Sequence, residues 1–146
     1  MEKVVIVSGV RTPIGRFGGA LKDIKAADLG AIVIEEAVKR AKIDPDMVDE
    51  VVMGCVGQIG EDAFLARVSA IKAGLPITTT AYSVNRLCSS GLQAIVTGMM
   101  TIQTGMADIV VAGGTENMSQ YPYMIRNVRS GLKMGHKQIE DTLITA

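Results

Sequence analysis

The stretch on which the fold class depends is "VDEVVMGCVGQIGEDAFLARVSAIKAGLPITTTAYSVNR", residues 48–86. It begins and ends with apolar, β-branched runs typical of strands, and a helical segment between them is ended by Gly74 and Pro76. The predicted elements are a strand, a turn, a helix and a strand at residues 48–56, 57–62, 63–74 and 78–86. A strand, a helix and a strand in this order predict a right-handed crossover between parallel strands.

The same alternation continues on both sides of this stretch. Further strands are predicted at residues 3–9 and 107–116, and further helices at about 27–42 and 88–105. The apolar spacing of three and four predicts inward faces made of Leu29, Ile32, Val33, Ala37 and Ala41, and of Leu92, Ile95, Val96, Met99 and Ile102. Strands that alternate with helices predict an α/β fold of the order βαβαβαβ, with a mainly parallel sheet between helices.

The regular pattern ends after Glu116. The remaining residues show no clean hydrophobic period, and the segment ends without a stop signal. We therefore predict two parts, an α/β domain at residues 1–117 and the incomplete start of an inserted loop domain at residues 118–146.

Composition and charge exclude several classes of function. Fifteen Lys and Arg balance fifteen Asp and Glu, and no basic run is present that would bind nucleic acid. No apolar run is long enough to cross a membrane, and no signal peptide is recognisable, so we expect a cytoplasmic protein without membrane partners. Cys55, Cys88 and the single His136 show no metal-site spacing, and we expect both thiols to be free.

Cys88 is the residue that offers the most chemistry. It lies where the predicted strand at residues 78–86 meets the next helix, near the unpaired N–H groups and the positive dipole end of that helix. Such sites favour the thiolate, which is the nucleophilic form of cysteine. Ser89, Ser90 and Gly91 are small enough to leave room for a substrate, and the N–H of Cys88 can donate to an oxyanion. Cys88 is therefore a candidate acyl-accepting nucleophile.

Spacing alone leaves a structural interpretation of both cysteines open. Free cysteine is often buried and behaves as a small apolar side chain, and Cys88 is compatible with that role. Cys55 ends an apolar strand just before Gly57, and packing is the favoured interpretation for it. The sequence thus supplies one candidate nucleophile and one structural thiol.

Three other groups favour structural roles. The glycine-rich loop at residues 11–19, which includes Arg11, Thr12, Pro13, Gly15, Gly18 and Gly19, is typical of tight turns. Gly113 and Gly114 end a strand, where glycine usually permits a close backbone approach. Asn85 and Arg86 either orient the turn before Cys88 or supply positive charge, or they cap and pair locally, and local pairing is the favoured interpretation.

The segment around Cys88, "NRLCSSGLQAI" (residues 85–95), resembles the acyl-enzyme cysteine segment of the thiolases, the acetyl-CoA C-acetyltransferases and their relatives. The similarity continues in order along essentially the whole chain. "VVIVSGVRTPIGRFGGALKDI" (4–24) resembles the family's first strand and loop, and "AIKAGLP" (70–76) resembles the end of its second helix. "DIVVAGGTENMSQYPY" (108–123) resembles its fourth strand, and "SGLKMG" (130–135) resembles a later loop.

This resemblance implies a mechanism for Cys88. The cysteine attacks an acyl-CoA thioester and becomes acylated, and the α-carbanion of a second acetyl-CoA then attacks the acyl group to give a 3-ketoacyl-CoA. In the reverse direction, CoA cleaves the ketoacyl chain. The implied substrates are acetyl-CoA, acyl-CoA and CoA, and the family requires no metal and no redox cofactor.

The resemblance also implies catalytic groups that have no match in these residues. Thiolases use a histidine that activates the cysteine, a second cysteine that acts as acid and base, and an Asn-containing segment of the oxyanion hole, all in a second, related domain. Cys55 lies in the wrong segment for the second cysteine, and His136 matches a loop position. We therefore expect the N-terminal portion of a thiolase, from a truncation or a split gene, that has no turnover by itself.

Partners are implied in the same way. Residues 78–84 and the Cys88 helix resemble the thiolase dimer contact, and residues 124–145 resemble the loop through which some thiolases form tetramers. The expectation is a homo-oligomer (dimer or tetramer) of the complete enzyme, or a partner chain that supplies the C-terminal half. We expect the surface facing the missing half to be exposed and apolar.

Two alternatives to a thiolase function stay open. One is a condensing enzyme of the ketosynthase type, although "RTPIGRFGG" (11–19) and "AGGTENMS" (112–119) resemble thiolases more closely. The other is an inactive fragment that serves as an interaction or folding module and is completed by a partner chain.

Overall fold

Three parallel strands form the sheet around which the chain is organised. They are β1 (Glu50–Gly54), β2 (Thr80–Val84) and β3 (Val110–Gly114), in the spatial order β2-β1-β3. The computed structural model describes residues 3–145, and in it Val52 of β1 pairs with Tyr82 of β2 and Ala112 of β3. The predicted α/β class and parallel sheet are confirmed, and each of these strands is shorter than its predicted range.

Helices cover both faces of this sheet. They are α1 (Ala26–Ala41), α2 (Leu65–Lys72) and α3 (Ser90–Gln103), with 3₁₀ turns at Pro45–Met47, Gly60–Phe64 and Met118–Gln120. α1 and α2 pack together on one face, where Val51 and Met53 enter their shared core. Residues alternate along β3: Val111 packs against that core, and Ala112 lies beside Gly98 of α3 on the other face. The central strand β1 is therefore covered on both sides.

Small residues form the buried side of α3, contrary to the prediction. The buried set is Ser90, Ala94, Gly98 and Thr101, whereas Leu92, Ile95, Val96 and Met99 are exposed and Ile102 is half-buried. A Cβ on Gly98 would lie 2.9 Å from Cγ1 of Val110, so the helix axis lies too close to the sheet for larger side chains at these positions. The apolar spacing was real, but it marked a side of α3 that does not pack on the sheet.

The buried side of helix α1 also differs from the predicted side, for the same reason. Its buried residues are Ala26, Ala27, Gly30, Ala31, Ile34 and Val38, whereas the predicted Leu29, Val33, Ala37 and Ala41 are half-buried and Ile32 is exposed. A Cβ on Gly30 would lie 2.5 Å from Oγ of Ser69 in α2, and this hydroxyl donates to the carbonyl of Ala27 at 3.1 Å. Close contact with α2 therefore selects the side of small residues.

The strand predicted at residues 3–9 does not form. The segment is irregular, and Val5, Ile6 and Val7 are 64%, 80% and 67% exposed. A cavity of about 600 Å³ lies between this segment and β3, α1 and α3. A strand requires neighbouring N–H and C=O groups, and within residues 3–145 no strand pairs with this segment. Its apolar, β-branched residues predicted strand conformation but carried no information about a partner.

After β3 the chain forms a small antiparallel ladder. Its strands are β4 (Tyr123–Met124) and β5 (Glu140–Asp141), and a short helix, α4 (Thr142–Thr145), follows. The connection at residues 125–139 has no regular structure, is mostly exposed and contains His136. Asn117 ties the start of this region to the residues before α1, because its Nδ2 donates to the carbonyl of Ile24 at 2.7 Å. Within the described range, no helix is long and apolar enough to span a membrane.

Asp49 fixes the start of the sheet. Its Oδ2 accepts hydrogen bonds from the N–H groups of Ile109 at 2.9 Å and of Asp108 at 2.8 Å, and its carbonyl accepts one from Thr80. The backbone donors, with Ile109 as the stronger influence, lower the pKa of the Asp49 carboxyl from its ordinary value. Asp49 thus joins the starts of all three strands, β3 through its exposed carboxylate and β2 through its carbonyl.

Asp49→Asn is expected to destabilise the fold by about 1 kcal/mol near pH 7, because the charge-assisted bonds to two N–H groups are weakened. Since the pKa is lower in the folded state, this contribution is complete above the ordinary carboxyl pKa and disappears as the pH falls through the folded-state pKa. Urea midpoints of both proteins near pH 7 and near pH 3 should therefore converge in acid. Asp46→Asn, at an exposed carboxyl before β1, is the control, and a gap that widens in acid would contradict the assignment.

Candidate active site

Cys88 lies in the turn that connects β2 to α3. Its side chain is exposed and its thiol is free. The predicted helix began at Cys88. In the structure α3 begins at Ser90 with Ser89 as the N-cap, so Cys88 precedes the helix. The predicted position beside a helix N-terminus is confirmed, and at such a position the N–H groups and the dipole favour an anion. The role of nucleophile stays a prediction.

The turn before Cys88 has an unusual backbone conformation. Leu87 has a φ of 49°, in the left-handed region that residues with a side chain rarely adopt. The N–H of Leu87 donates to Oδ1 of Asn85 at 3.0 Å, and its carbonyl accepts from Oγ of Ser90 at 2.6 Å. The same Ser90 hydroxyl accepts from the N–H of Arg86 at 2.8 Å. Three side-chain hydrogen bonds therefore hold a strained turn next to the thiol.

Asn85 and Arg86 both make local contacts, as the favoured interpretation predicted. Nη1 of Arg86 donates to Oε1 of Gln93 on α3 at 2.6 Å. Nδ2 of Asn85 donates to the carbonyl of Val56 at 3.0 Å, so this side chain also connects the turn to the residues after β1. Asn85 thus both caps locally and orients the turn, and the sequence had presented these roles as alternatives.

Glycines at the ends of two strands allow α3 to begin directly on the sheet. A Cβ on Gly54 would lie 2.4 Å from the carbonyl carbon of Ser90 and 2.5 Å from the N of Gly91. A Cβ on Gly114 would lie 3.0 Å from the carbonyl oxygen of Gly54, which confirms the predicted close approach, whereas one on Gly113 would make only ordinary contacts. Gly54 was not singled out in the sequence, although it contributes most to the position of the helix start.

Cys55 is a structural thiol, as predicted. It is 1% exposed, and its Sγ lies 3.5 Å from Oε1 of Glu116. Burial, together with the negative charge of Glu116, raises the pKa of Cys55 to about 12. The thiolate that would react with an acyl group is therefore scarce at neutral pH.

Glu116 is the centre of a cluster that sequence reasoning missed. Its carboxylate accepts from the N–H groups of Val56 and Gly57 at 2.7 and 3.2 Å, and from the hydroxyl of Tyr121 at 2.8 Å. Burial and the bond to Glu116 raise the pKa of Tyr121. The run "AGGTENMS" contained Glu116, but no local pattern indicated that its backbone partners Val56 and Gly57 lie 60 and 59 residues earlier in the chain.

The loop at residues 11–19 has the turn geometry that its glycines predict. Gly18 has a φ of 66°, and its N–H donates to Oγ of Ser119 at 3.0 Å. Gly19 closes a tight turn onto the carbonyl of Arg16 at 2.8 Å. This loop therefore supports the region after β3. Among the described residues, no hydrogen bond connects it to Cys88.

Cys88 opens onto the surface. Two cavities, of about 600 and 250 Å³, are lined by other residues, the first by the N-terminal segment with α1, α3 and β3, the second by residues such as Phe64, Arg67 and Tyr82. Across residues 3–145, no three His, Cys, Asp or Glu side chains are close enough to share a metal ion. The chemistry that these residues offer is that of a thiol at a helix N-terminus.

Comparison with known proteins agrees with this geometry. The sequence profile described as "Thiolase, N-terminal domain" matches residues 4–146. A protein of Staphylococcus aureus (strain NCTC 8325 / PS 47) named "Probable acetyl-CoA acyltransferase" is 48% identical over 144 residues, which are 99% of this chain and 37% of the relative. The crystal structure of the Bacillus anthracis acetyl-CoA acetyltransferase superposes with a TM-score of 0.91 at 47% identity, over 95% of this chain and 35% of that one. The chain spans little more than a third of the length of these relatives, and it belongs to the thiolase family, of which it represents the N-terminal domain.

Proposed function

We propose that Cys88 is the acyl-accepting nucleophile of a longer acetyl-CoA acyltransferase. The Cys88 thiolate attacks the carbonyl carbon of an acyl-CoA, a new C–S bond forms, and the bond to CoA breaks, so that CoA leaves as a thiolate that takes up a proton. The α-carbanion of acetyl-CoA then attacks the acyl group and releases Cys88, giving a 3-ketoacyl-CoA. In the reverse direction CoA cleaves the 3-ketoacyl chain. CoA thioesters are the proposed substrates, and no metal or redox cofactor is proposed.

The observation that carries this proposal is the exposed Cys88 thiol on a strained turn beside the start of α3. The dipole of a helix start stabilises negative charge on a thiolate and on the oxygen of a tetrahedral intermediate. The names of the relatives, acetyl-CoA acyltransferase and acetyl-CoA acetyltransferase, support acyl-CoA as the substrate class.

We propose that the chain of 146 residues does not turn over by itself. A Claisen condensation requires a base for Cys88 and a second acid and base for the other substrate, and the family places these groups in the second domain. Cys55 is buried, with a pKa raised to about 12, and is therefore a poor replacement. His136 lies exposed in the irregular connection at residues 125–139.

Incubation with acetyl-CoA tests the assignment of Cys88. Intact-mass spectrometry of the 146-residue chain after incubation should show one acetyl adduct that forms slowly. Peptide mapping should locate it on Cys88, and it should be absent in Cys88→Ala. Acetoacetyl-CoA cleavage by the same sample should stay at background, and the complete protein should catalyse it. An adduct on Cys55, or normal cleavage by the 146-residue chain, would refute the proposal.

A second candidate function is an interaction module completed by a partner chain. It is favoured by the apolar N-terminal segment and the apolar outer side of α3, where Ile6 is 80% and Leu92 67% exposed. The same surface suits the rest of a longer thiolase, or a second copy in a dimer or tetramer. Co-expression with a chain that supplies the second domain distinguishes the two, because the module function predicts binding without restored cleavage. A condensing enzyme of the ketosynthase type is the remaining alternative.

The domain division and the cellular location are proposals as well. We propose that residues 118–146 begin a loop domain distinct from residues 1–117, supported by the irregular, exposed connection between β4 and β5. We propose a cytoplasmic protein, supported by two cysteines that are both free.

A further inference from the structure

The carboxylate of Glu116 receives hydrogen bonds from four donors. Oε2 accepts from the N–H of Val56 at 2.7 Å, and Oε1 accepts from the N–H of Gly57 at 3.2 Å. Oε1 also receives the hydroxyl of Tyr121 at 2.8 Å and faces the Sγ of Cys55 at 3.5 Å. Only a carboxylate, which has no N–H or O–H of its own when ionised, accepts from all four at once. Glu116 therefore holds the bend that follows β1.

Backbone groups at this bend also form hydrogen bonds with β2 and with Asn85, which follows it. Val56 donates its N–H to Glu116 and offers its carbonyl to Nδ2 of Asn85, at 3.0 Å. The N–H of Cys55, one residue earlier, donates to the carbonyl of Val84 at 3.1 Å. The position of Asn85 is consequently defined by a backbone that Glu116 holds in place.

Asn85 in turn defines the turn at Leu87. Its Oδ1 accepts from the N–H of Leu87, whose φ of 49° is the strained feature of the site. A left-handed leucine is strained and persists only where the surroundings enforce it. The side-chain amide of Asn85 is fixed at both ends, by Val56 and by Leu87, so a shift of Val56 moves the acceptor for Leu87. Cys88 follows Leu87 directly.

We propose that Glu116 is a positioning residue for Cys88, acting through Val56, Asn85 and Leu87. Glu116 does not contact a substrate in this role. It rigidifies the bend after β1, and this bend positions the side-chain amide of Asn85. The amide in turn holds the turn that places the Cys88 thiol at the start of α3. The importance of Glu116 for catalysis rests on the proposed role of Cys88 as the nucleophile. Its effect on the reactivity of the Cys88 thiol does not depend on that role.

Alkylation of Cys88 by iodoacetamide measures this reactivity in the 146-residue chain. Glu116→Gln removes one accepting oxygen and presents an NH₂ group to N–H donors, and it is expected to slow alkylation of Cys88 roughly tenfold. Tyr121→Phe is the matched control, because it removes one donor to Glu116 and leaves the bonds to Val56 and Gly57 in place; its rate should stay close to that of the wild type. Urea midpoints of the same samples report any general loss of stability.

A double-mutant cycle shows whether Glu116 and Asn85 act on Cys88 through the same chain of contacts or independently. Asn85→Ala breaks the last link and should slow alkylation as Glu116→Gln does, and the double variant should be no slower than the slower single variant. Effects that multiply, or a wild-type rate in Glu116→Gln, would overturn the proposal. If Glu116→Gln does not fold, a wild-type rate in Asn85→Ala, a change at an exposed side chain, would overturn it equally.

Kinetics of the complete protein provide a readout that a purely structural role does not change. Glu116→Gln should lower kcat for cleavage of the ketoacyl-CoA substrate roughly tenfold while KM for this substrate changes less than about twofold, since only the reacting thiol is displaced. A raised KM with an unchanged kcat would count against positioning. Slower alkylation combined with full activity of Cys88→Ser would leave the positioning intact and refute the proposed function instead.

Discussion

Cys88→Ser in the complete protein is expected to reduce 3-ketoacyl-CoA cleavage by more than about a thousandfold. The substitution is almost isosteric, so the turn at Leu87 and its hydrogen bonds should persist. A hydroxyl is a much weaker acid and a poorer nucleophile than a thiol, so a base that activates cysteine does not activate serine enough to attack a thioester. Steady-state cleavage of acetoacetyl-CoA, followed as loss of its absorbance, measures the change.

The matched control for this experiment is Cys55→Ser. Cys55 is buried, and its thiol faces Glu116 rather than solvent, so this variant should retain most of its activity. In the synthetic direction, with acetyl-CoA as the only substrate, burst kinetics would distinguish loss of acylation from loss of the later condensation, because only wild type and Cys55→Ser should release CoA before the ketoacyl product forms. Activity in Cys88→Ser comparable to wild type would exclude Cys88 as the nucleophile.

Gly54→Ala is expected to destabilise the 146-residue chain by about 3 kcal/mol, the upper end for overpacked cores. The added methyl group would lie 2.4 Å from the carbonyl carbon of Ser90 and 2.5 Å from the N of Gly91, and backbone atoms cannot move aside as a flexible side chain can. The first turn of α3 must therefore shift away from β1 and take Cys88 with it. Urea unfolding followed by circular dichroism measures the loss.

Gly91→Ala is the control, because Gly91 faces Gly54 from the other side of the same contact. A Cβ on Gly91 would meet nothing within 4 Å, so this variant should be neutral or more stable by up to about 1 kcal/mol. Equal stability of Gly54→Ala and wild type would mean that α3 does not begin in contact with the sheet. Slower alkylation of Cys88 in Gly54→Ala, with no change in Gly91→Ala, would link this contact to the site.

The elements that sequence analysis predicted correctly share one property: their signals are local. β1, β2 and β3 each coincide with an apolar, β-branched run, and Gly74 and Pro76 follow α2 closely, as the stop signals indicated. The position of Cys88 beside a helix start also follows from a handful of neighbouring residues. The family could be predicted because its segments occur in order along the chain, which requires no knowledge of contacts.

The errors concern partners in space. Residues 3–9 have strand-like composition, but in the described structure no strand lies beside them, and Val5, Ile6 and Val7 stay exposed. The period of α3 was predicted correctly, yet its packed side is the one with Ala94 and Gly98, because distance to the sheet rather than hydrophobicity selects it.

The site shows the same division between local and distant information. Residue types near Cys88 were enough to predict an accessible thiol at a helix N-terminus, since helix starts and small residues are encoded within a few positions. The left-handed Leu87, the contact of Gly54 with α3 and the hydrogen bond from the N–H of Val56 to Glu116, 60 residues later, arise only on folding. A parallel sheet brings the carboxyl ends of its strands to one edge, and that juxtaposition leaves no trace in any local pattern of residues.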